Sequence, residues 1–153
     1  LASLNMSGRE VFKLAVNAMK KASEAVIERA NLTADDIKLV IPHQANLRII
    51  ESVAKRAGVP MDRVHVNVQR YGNMSAATVP TALCEALEEG RVKPGGLLLM
   101  PGFGGGLTFC AHLVRWGGRT TPLGTTDVDL PAPTRTALEI VERYRNARGA
   151  ALT

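Results

Sequence analysis

The sequence predicts an α/β layer structure, on three observations. Stretches with apolar residues at three- and four-residue spacing alternate with short apolar runs of the kind that form buried strands. The segments between them hold glycine, proline or polar residues that break both periods. With 153 residues, 46% of them hydrophobic, the chain can build one compact core that buries roughly two-thirds of its unfolded surface.

The first helix is predicted over residues 7–30, where Val11, Phe12, Leu14, Ala15, Ala18, Met19, Ala22, Ala25 and Val26 share one face, with Ser7 and Glu10 placed as a capping box. A break at Thr33 to Asp36 precedes Ile37-Lys38-Leu39-Val40-Ile41, an apolar run ending at Pro42, as a buried strand does. From Asn46, a good N-cap residue, Leu47, Ile50, Val53, Ala54 and Ala57 repeat helically until Gly58 and Pro60. His43 therefore falls in a strand-to-helix turn.

Val64, Val66 and Val68 alternate with His65, Asn67 and Gln69, which predicts a second strand. Tyr71-Gly72-Asn73-Met74-Ser75 then leads into a helix from about Ala76 to Glu89, so Asn73 occupies the corresponding turn of a second strand-helix unit. Pro80, about one turn inside that helix, is expected to bend it. Lys93-Pro94-Gly95-Gly96 forms a turn, Leu97 to Met100 a strand, Gly102 to Gly106 a glycine-rich turn and Leu107 to Trp116 a last strand. Residues 117–132 read as a linker, and a helical tail occupies 133–153, its apolar stripe of Ala137, Leu138, Val141, Tyr144 and Ala147 fitted to dock on its own domain or a neighbour.

Composition removes several function classes. No run of about 18 apolar residues spans a membrane and no basic start leads into a short apolar core, so a cytoplasmic protein is expected, without membrane association. The net charge of +5 comes from 19 basic and 14 acidic residues spread along the chain, without the basic-aromatic clustering of nucleic-acid binders, and suits an acidic partner. Cys84 and Cys110 have no metal-ligand spacing and are expected to be reduced, structural thiols. The chain begins at Leu1 rather than methionine, and an upstream segment is expected.

Sites in open α/β sheets form at the carboxyl ends of strands, and three turns there are polar or glycine-rich: 42–46, 71–75 and 102–106. Taken singly, each has an ordinary explanation: a solvated or capping histidine, a Gly-Asn turn, glycines that serve backbone shape. Together and in this order, Gly8-Arg9-Glu10-Val11-Phe12, His43-Gln44-Ala45-Asn46-Leu47-Arg48-Ile49-Ile50, Gly72-Asn73-Met74-Ser75-Ala76-Ala77 and Phe103-Gly104-Gly105-Gly106 resemble the C-terminal motifs of β-ketoacyl-acyl-carrier-protein synthase III. The resemblance runs from about Met6 to Trp116. Plant-type chalcone synthases also have a Gly-Asn-Met-Ser turn and a Gly-Phe-Gly-rich turn, but the His-Gln-Ala-Asn sequence with the helix after it favours synthase III.

The resemblance implies the C-terminal half of a thiolase-like layered fold, with residues 1–116 as the catalytic part, and a two-step acyl transfer. A cysteine accepts an acyl group from acyl-CoA; malonyl-acyl-carrier-protein then loses carbon dioxide and its enolate attacks that thioester. His43 and Asn73 would be the catalytic pair, donating hydrogen bonds to the enolate oxygen without repelling it as a carboxylate would. The Gly105 N–H would form half of an oxyanion hole for the acyl thioester, glycine letting the backbone come close. Phe103 would gate the nucleophile, or simply belong to the core. Asn46 would contact the pantetheine arm, and Arg48 the carrier-protein entrance or the arm's phosphate, or else be an ordinary solvated residue.

No cofactor or metal is implied beyond those substrates. The family's nucleophilic cysteine lies at the start of a buried helix in the N-terminal half, and neither Cys84 nor Cys110 matches it. The expected partners are that N-terminal half, an acyl carrier protein and a second copy in a homodimer, and the chain by itself is expected to be inactive. Two other readings remain open: an acyltransferase of polyketide or secondary metabolism on the same fold, and a non-catalytic fragment that binds a carrier protein or a partner.

Overall fold

The computed structural model describes residues 7–121, 132 and 134–150. Two compact units divide the chain at residues 122 and 123.

The first unit is built on helix α1 (Gly8–Arg29), strand β1 (Ile37–Val40), helices α2 (Leu47–Arg56), α3 (Val68–Tyr71) and α4 (Thr78–Glu88), and strands β2 (Leu97–Gly104) and β3 (Thr108–Arg115). The strands form one sheet in the order β1-β2-β3, with β1 and β2 parallel and β2 and β3 antiparallel. Alternation along the strands sends side chains to both faces. Ile37, Val40, Leu97 and Leu99 pack with Ile50 and Ala54 of α2, while Leu39, Ile41 and Leu98 pack with Ala82 and Ala86 of α4. Ala15, Val16 and Met19 of α1 join Ile49 and Val53 of α2 in a third cluster, against which Phe103 lies. Helices on both faces of a sheet in which β1 and β2 run parallel give the expected α/β layers.

The boundaries show where local chemistry decided. Asn46 caps α2 through its side chain, with Oδ1 accepting from Arg48 N at 2.9 Å. Gly58, at φ +68°, ends the same helix in the left-handed region. Ser7 stands at the N-cap of α1 but makes no side-chain cap hydrogen bond, so the expected capping box there does not form; among the described residues, boxes pair Thr33 with Asp36 and Thr136 with Glu139. Pro80 is the third residue of α4, in the first turn, where a backbone N–H would have no partner within the helix, so the expected bend has no cause.

The predicted second strand does not form. Val64 makes one bridge, to Val40, and His65 N donates to Val40 O, but the chain then curls into α3. Its alternation also breaks down: Val64, His65 and Asn67 are buried, at 4%, 2% and 3% exposure, while Val66 and Val68 are only half-buried and Gln69 is exposed. Gln44 supplies the cause. Its side chain, fully buried, donates to Pro42 O (2.9 Å) and His65 O (3.1 Å) and accepts from Asn67 N (2.9 Å) and Val68 N (3.2 Å). Backbone groups that a neighbouring strand would have satisfied are satisfied by one amide instead.

Glu85 anchors the other end of α3. Its buried carboxylate accepts hydrogen bonds from Asn67 Nδ2 (2.6 Å), Tyr71 Oη (2.8 Å) and Arg70, with His65 Nε2 at 3.5 Å. Burial pushes its pKa up, and the hydrogen bonds from Asn67, Tyr71 and Arg70, with the His65 ring close by, outweigh that and hold it at about 2. Asn73 follows Tyr71 by two residues, so this anchor fixes where its turn begins.

The second unit contains helix α5 (Ala137–Ala150), in which Leu138 and Val141 of the expected stripe are exposed. The expected linker lies largely outside the described residues, as do the side chains of Ala137, Tyr144 and Ala147. Among the described residues no helix is long and apolar enough to cross a membrane.

Two measurements check this frame. Replacing Gln44 with Leu strands two backbone donors and two acceptors and should cost about 3 kcal/mol of stability in denaturant titrations; a loss under about 1 kcal/mol would show that Gln44 does not hold the segment. The Glu85 carboxyl ionises more readily folded than at its usual value of 4.5. Its contribution is therefore complete above pH 4.5 and disappears as pH falls towards about 2. Glu85→Gln should lower stability at neutral pH and flatten its decline across that window, whereas an acid limb as steep as the parent's would contradict the assignment.

Candidate active site

His43 is placed by the sheet. Beyond the end of β1 the ladder continues as Ile41 N donates to Leu99 O and His43 N to Pro101 O, each at 2.8 Å. The His43 backbone is thus pinned to β2, at the end of the sheet where both parallel strands terminate. Its imidazole is half-buried, and burial lowers its pKa, which favours the neutral ring.

Two groups hold that ring. Phe103, near the end of β2, meets it edge to face with centroids 5.3 Å apart and planes at 80°. Thr78, the first residue of α4 and fully buried, places Oγ1 2.5 Å from His43 Nδ1. The same hydroxyl donates to Ser75 O at 3.0 Å. Ser75 has φ +54°, a left-handed conformation uncommon for serine, and its N–H donates to Asn73 Oδ1 at 2.9 Å. His43 and Asn73, 30 positions apart in sequence, are therefore joined through Thr78 and Ser75. Asn73 is exposed, and with Oδ1 engaged its NH₂ is the end left to donate.

The other expected site residues are not drawn into this chain of bonds. Asn46 and Arg48 are exposed at the N-terminus of α2, close to His43 in sequence, but among the described residues neither bonds to His43, Asn73 or Thr78. The Arg48 guanidinium lies 6.0 Å over the Phe12 ring. Gly105 is exposed in the turn after β2, and a Cβ there would meet nothing within 4 Å, so no steric demand for glycine arises at that position. The demand falls on Gly106, at φ +134°, where a Cβ would come within 3.0 Å of Thr108 N. Phe103 packs against the α1–α2 cluster, as its alternative place in the core implies, and also meets the His43 ring edge to face.

Sequence reasoning missed Thr78 and Gln44. Gln44 sat inside a recognised motif without a role, and Thr78 looked like any residue at a helix start. Both thiols are exposed, contrary to a structural role in the interior; Cys110 stands opposite Gly102 across β2 and β3.

Comparison with known proteins fits this geometry. The sequence profile of the 3-oxoacyl-[acyl-carrier-protein (ACP)] synthase III C terminal matches residues 27–116. Beta-ketoacyl-[acyl-carrier-protein] synthase III 2 of Vibrio cholerae is 51% identical over 136 residues, 89% of this chain and 38% of that protein. A match of 136 residues cannot end at Trp116, so the likeness to this relative continues beyond the point where the motifs stop. The crystal structure of synthase III from Thermus thermophilus superposes with a TM-score of 0.73 at 52% identity, covering 75% of this chain and 36% of that one. The priming β-ketosynthase of the R1128 polyketide biosynthetic pathway gives 0.70 at 39% identity, over 76% and 35%. The chain thus spans well under half the length of these relatives, and its layers are those of the C-terminal part of their thiolase-like fold. By profile, identity and fold, the chain belongs to the 3-oxoacyl-[acyl-carrier-protein] synthase III family, of which it represents the C-terminal part.

Proposed function

We propose that the chain supplies the decarboxylation half of a condensing site, in which malonyl-acyl-carrier-protein loses carbon dioxide and the enolate attacks an acyl thioester to start a fatty acid. The observation that carries this reading is the hydrogen-bonded link from His43 through Thr78 and Ser75 to Asn73, at the carboxyl ends of parallel strands. Loss of carbon dioxide transfers the bonding electrons to the thioester oxygen, so the barrier falls where fixed dipoles already meet that oxygen. The Asn73 amide is such a dipole, since its orientation is held by the bond to Ser75 N. His43 flanks the same oxygen, and Phe103 limits the water that reaches the imidazole.

In this reading the acyl group rides on a cysteine from the N-terminal half of the enzyme, with the Gly105 N–H as one of two donors to its thioester oxygen. Without that cysteine the 153 residues would be inactive. Asn46 and Arg48 take the pantetheine arm and the acidic carrier protein, to which a net charge of +5 is suited. The reaction needs no cofactor beyond its substrates, and takes place in the cytoplasm in a homodimer. A second reading, priming of a polyketide, draws on the likeness to the R1128 ketosynthase and differs only in the acyl group and carrier accepted.

The test is carbon dioxide release from malonyl-acyl-carrier-protein by the full-length protein. Asn73→Ala should lower it about 10²- to 10³-fold, the usual loss on removing one oxyanion donor. An unchanged rate would reject the condensing role, while carrier binding with no acyl transfer would favour a non-catalytic protein.

A further inference from the structure

His65 is the most buried of the three histidines, and its ring stands between two charged groups. Arg91, in the turn after α4, brings Nη1 to 3.2 Å from His65 Nδ1, and its Nη2 donates to Asp62 O (2.6 Å) and Val64 O (3.3 Å). On the other side Nε2 is buried without a hydrogen-bond partner among the described residues, and Glu85 Oε2 lies 3.5 Å from it. A guanidinium has donors and no acceptor, so the Arg91 contact is a hydrogen bond only if Nδ1 carries the lone pair. The proton of a neutral ring is then on Nε2, facing a carboxylate. The other tautomer would set N–H against N–H at Arg91 and a lone pair against the Glu85 carboxylate, and a side chain only 3% exposed cannot turn to water instead. Glu89 Oε2, 3.7 Å from Nδ1 and beyond hydrogen-bond reach, is the opposing influence, and its side chain is half exposed.

We infer that His65 is a positioning residue for the Asn73 turn: with its proton kept on Nε2 by Arg91, the ring couples the group that holds residues 62–64 to the carboxylate that holds residues 67–71. This rests on the reading that Asn73 meets the substrate, and extends it to the segment that carries Asn73. Arg91 holds the entry of that segment through two carbonyls, and Glu85 holds its exit through Asn67, Arg70 and Tyr71. His65 faces both. Its backbone is fixed as well, with N–H donating to Val40 O and the carbonyl accepting from Gln44. Tyr71 precedes Asn73 by two residues, so slack at the ring is passed to the amide whose value as a donor depends on being in place beforehand.

Nitrogen-15 NMR of the histidine side chains in the full-length protein reads the tautomer, at about pH 8 where an ordinary ring is neutral. His65→Gln identifies the resonances. In the parent, Nδ1 should give the unprotonated signal and Nε2 the protonated one; in Arg91→Met, which removes the donor, a form protonated at Nδ1 should appear. Carbon dioxide release from malonyl-acyl-carrier-protein gives the second readout. His65→Leu loses both contacts, and its kcat should fall about tenfold while KM stays within about twofold of the parent's. His65→Gln, whose oxygen can accept from Arg91 while its NH₂ faces Glu85, should recover most of that loss. A parent ring protonated at Nδ1 would overturn the inference, and so would a parental kcat in His65→Leu. Should His65→Leu fail to fold by circular dichroism, Arg91→Met carries the kinetic test: its kcat should fall as its spectrum changes, and a parental kcat there would overturn the positioning role. The spectrum needs no substrate, so a wrong tautomer is told apart from a failed condensing reading, which shows as an unchanged rate in Asn73→Ala.

Discussion

The arrangement depends first on the side chain of Gln44. A primary amide offers two donors and two acceptor positions, and here all four are used inside the protein. One bond goes to the Pro42 carbonyl beyond the end of β1 and one to the His65 carbonyl, and two come back from the N–H groups of Asn67 and Val68. A strand at this place would have continued away from the sheet's end in a straight line. The amide instead satisfies the backbone while the chain turns, and the turn is what returns Asn73 towards His43. The residue next to the candidate catalytic histidine therefore places its partner as well.

The second constraint is electrostatic. A buried carboxylate is costly unless its charge is met, and the Glu85 environment meets it with an amide, a phenol, a guanidinium and an imidazole. Three of the four come from 67–71, the stretch that Gln44 bends. Gln44 and Glu85 thus grip the same short segment from opposite sides, one through its backbone and one through its side chains. The same packing leaves Asn67 Oδ1 and His65 Nε2 buried without a hydrogen-bond partner among the described residues. The geometry around Glu85 thus favours the carboxylate over complete satisfaction of its donors.

Much of this fold was legible from residue spacing. The helix at 8–29, the strand before His43, the Asn46 cap and the pair of strands after Gly96 all follow from apolar period and local capping chemistry. The segment at 64–68 was misread because period-2 alternation assumes that the apolar residues are the buried ones. Here His65 and Asn67 are buried along with Val64, and a long-range side chain, 21 to 24 positions earlier, bonds the backbone of 65–68 so that they can be. Pro80 was misread for a smaller reason: the helix starts two residues later than the pattern implied, which moves the proline into a turn that needs no N–H. Within the site, His43 and Asn73 were visible as residue types in turns. Thr78 was not, because its importance comes from standing 2.5 Å from a nitrogen 35 positions away.

A chain that spans under two-fifths of its relatives' length still contains a finished local device. Each part of it is held by something within the first unit: His43 by β2 and Thr78, Asn73 by Ser75, the turn between them by Gln44 and Glu85. An oxyanion donor lowers a barrier only if it need not reorganise when charge appears. Asn73 is exposed, so in the proposed function its readiness has to come from bonds rather than from packing, and the bond from Ser75 N, backed by a left-handed serine, supports it. His43 is the more buried of the two and is held from two sides, yet one of its nitrogens stays uncommitted. In the proposed function this arrangement gives Asn73 the part of a held donor, while His43 keeps one ring nitrogen without a bond among the described residues.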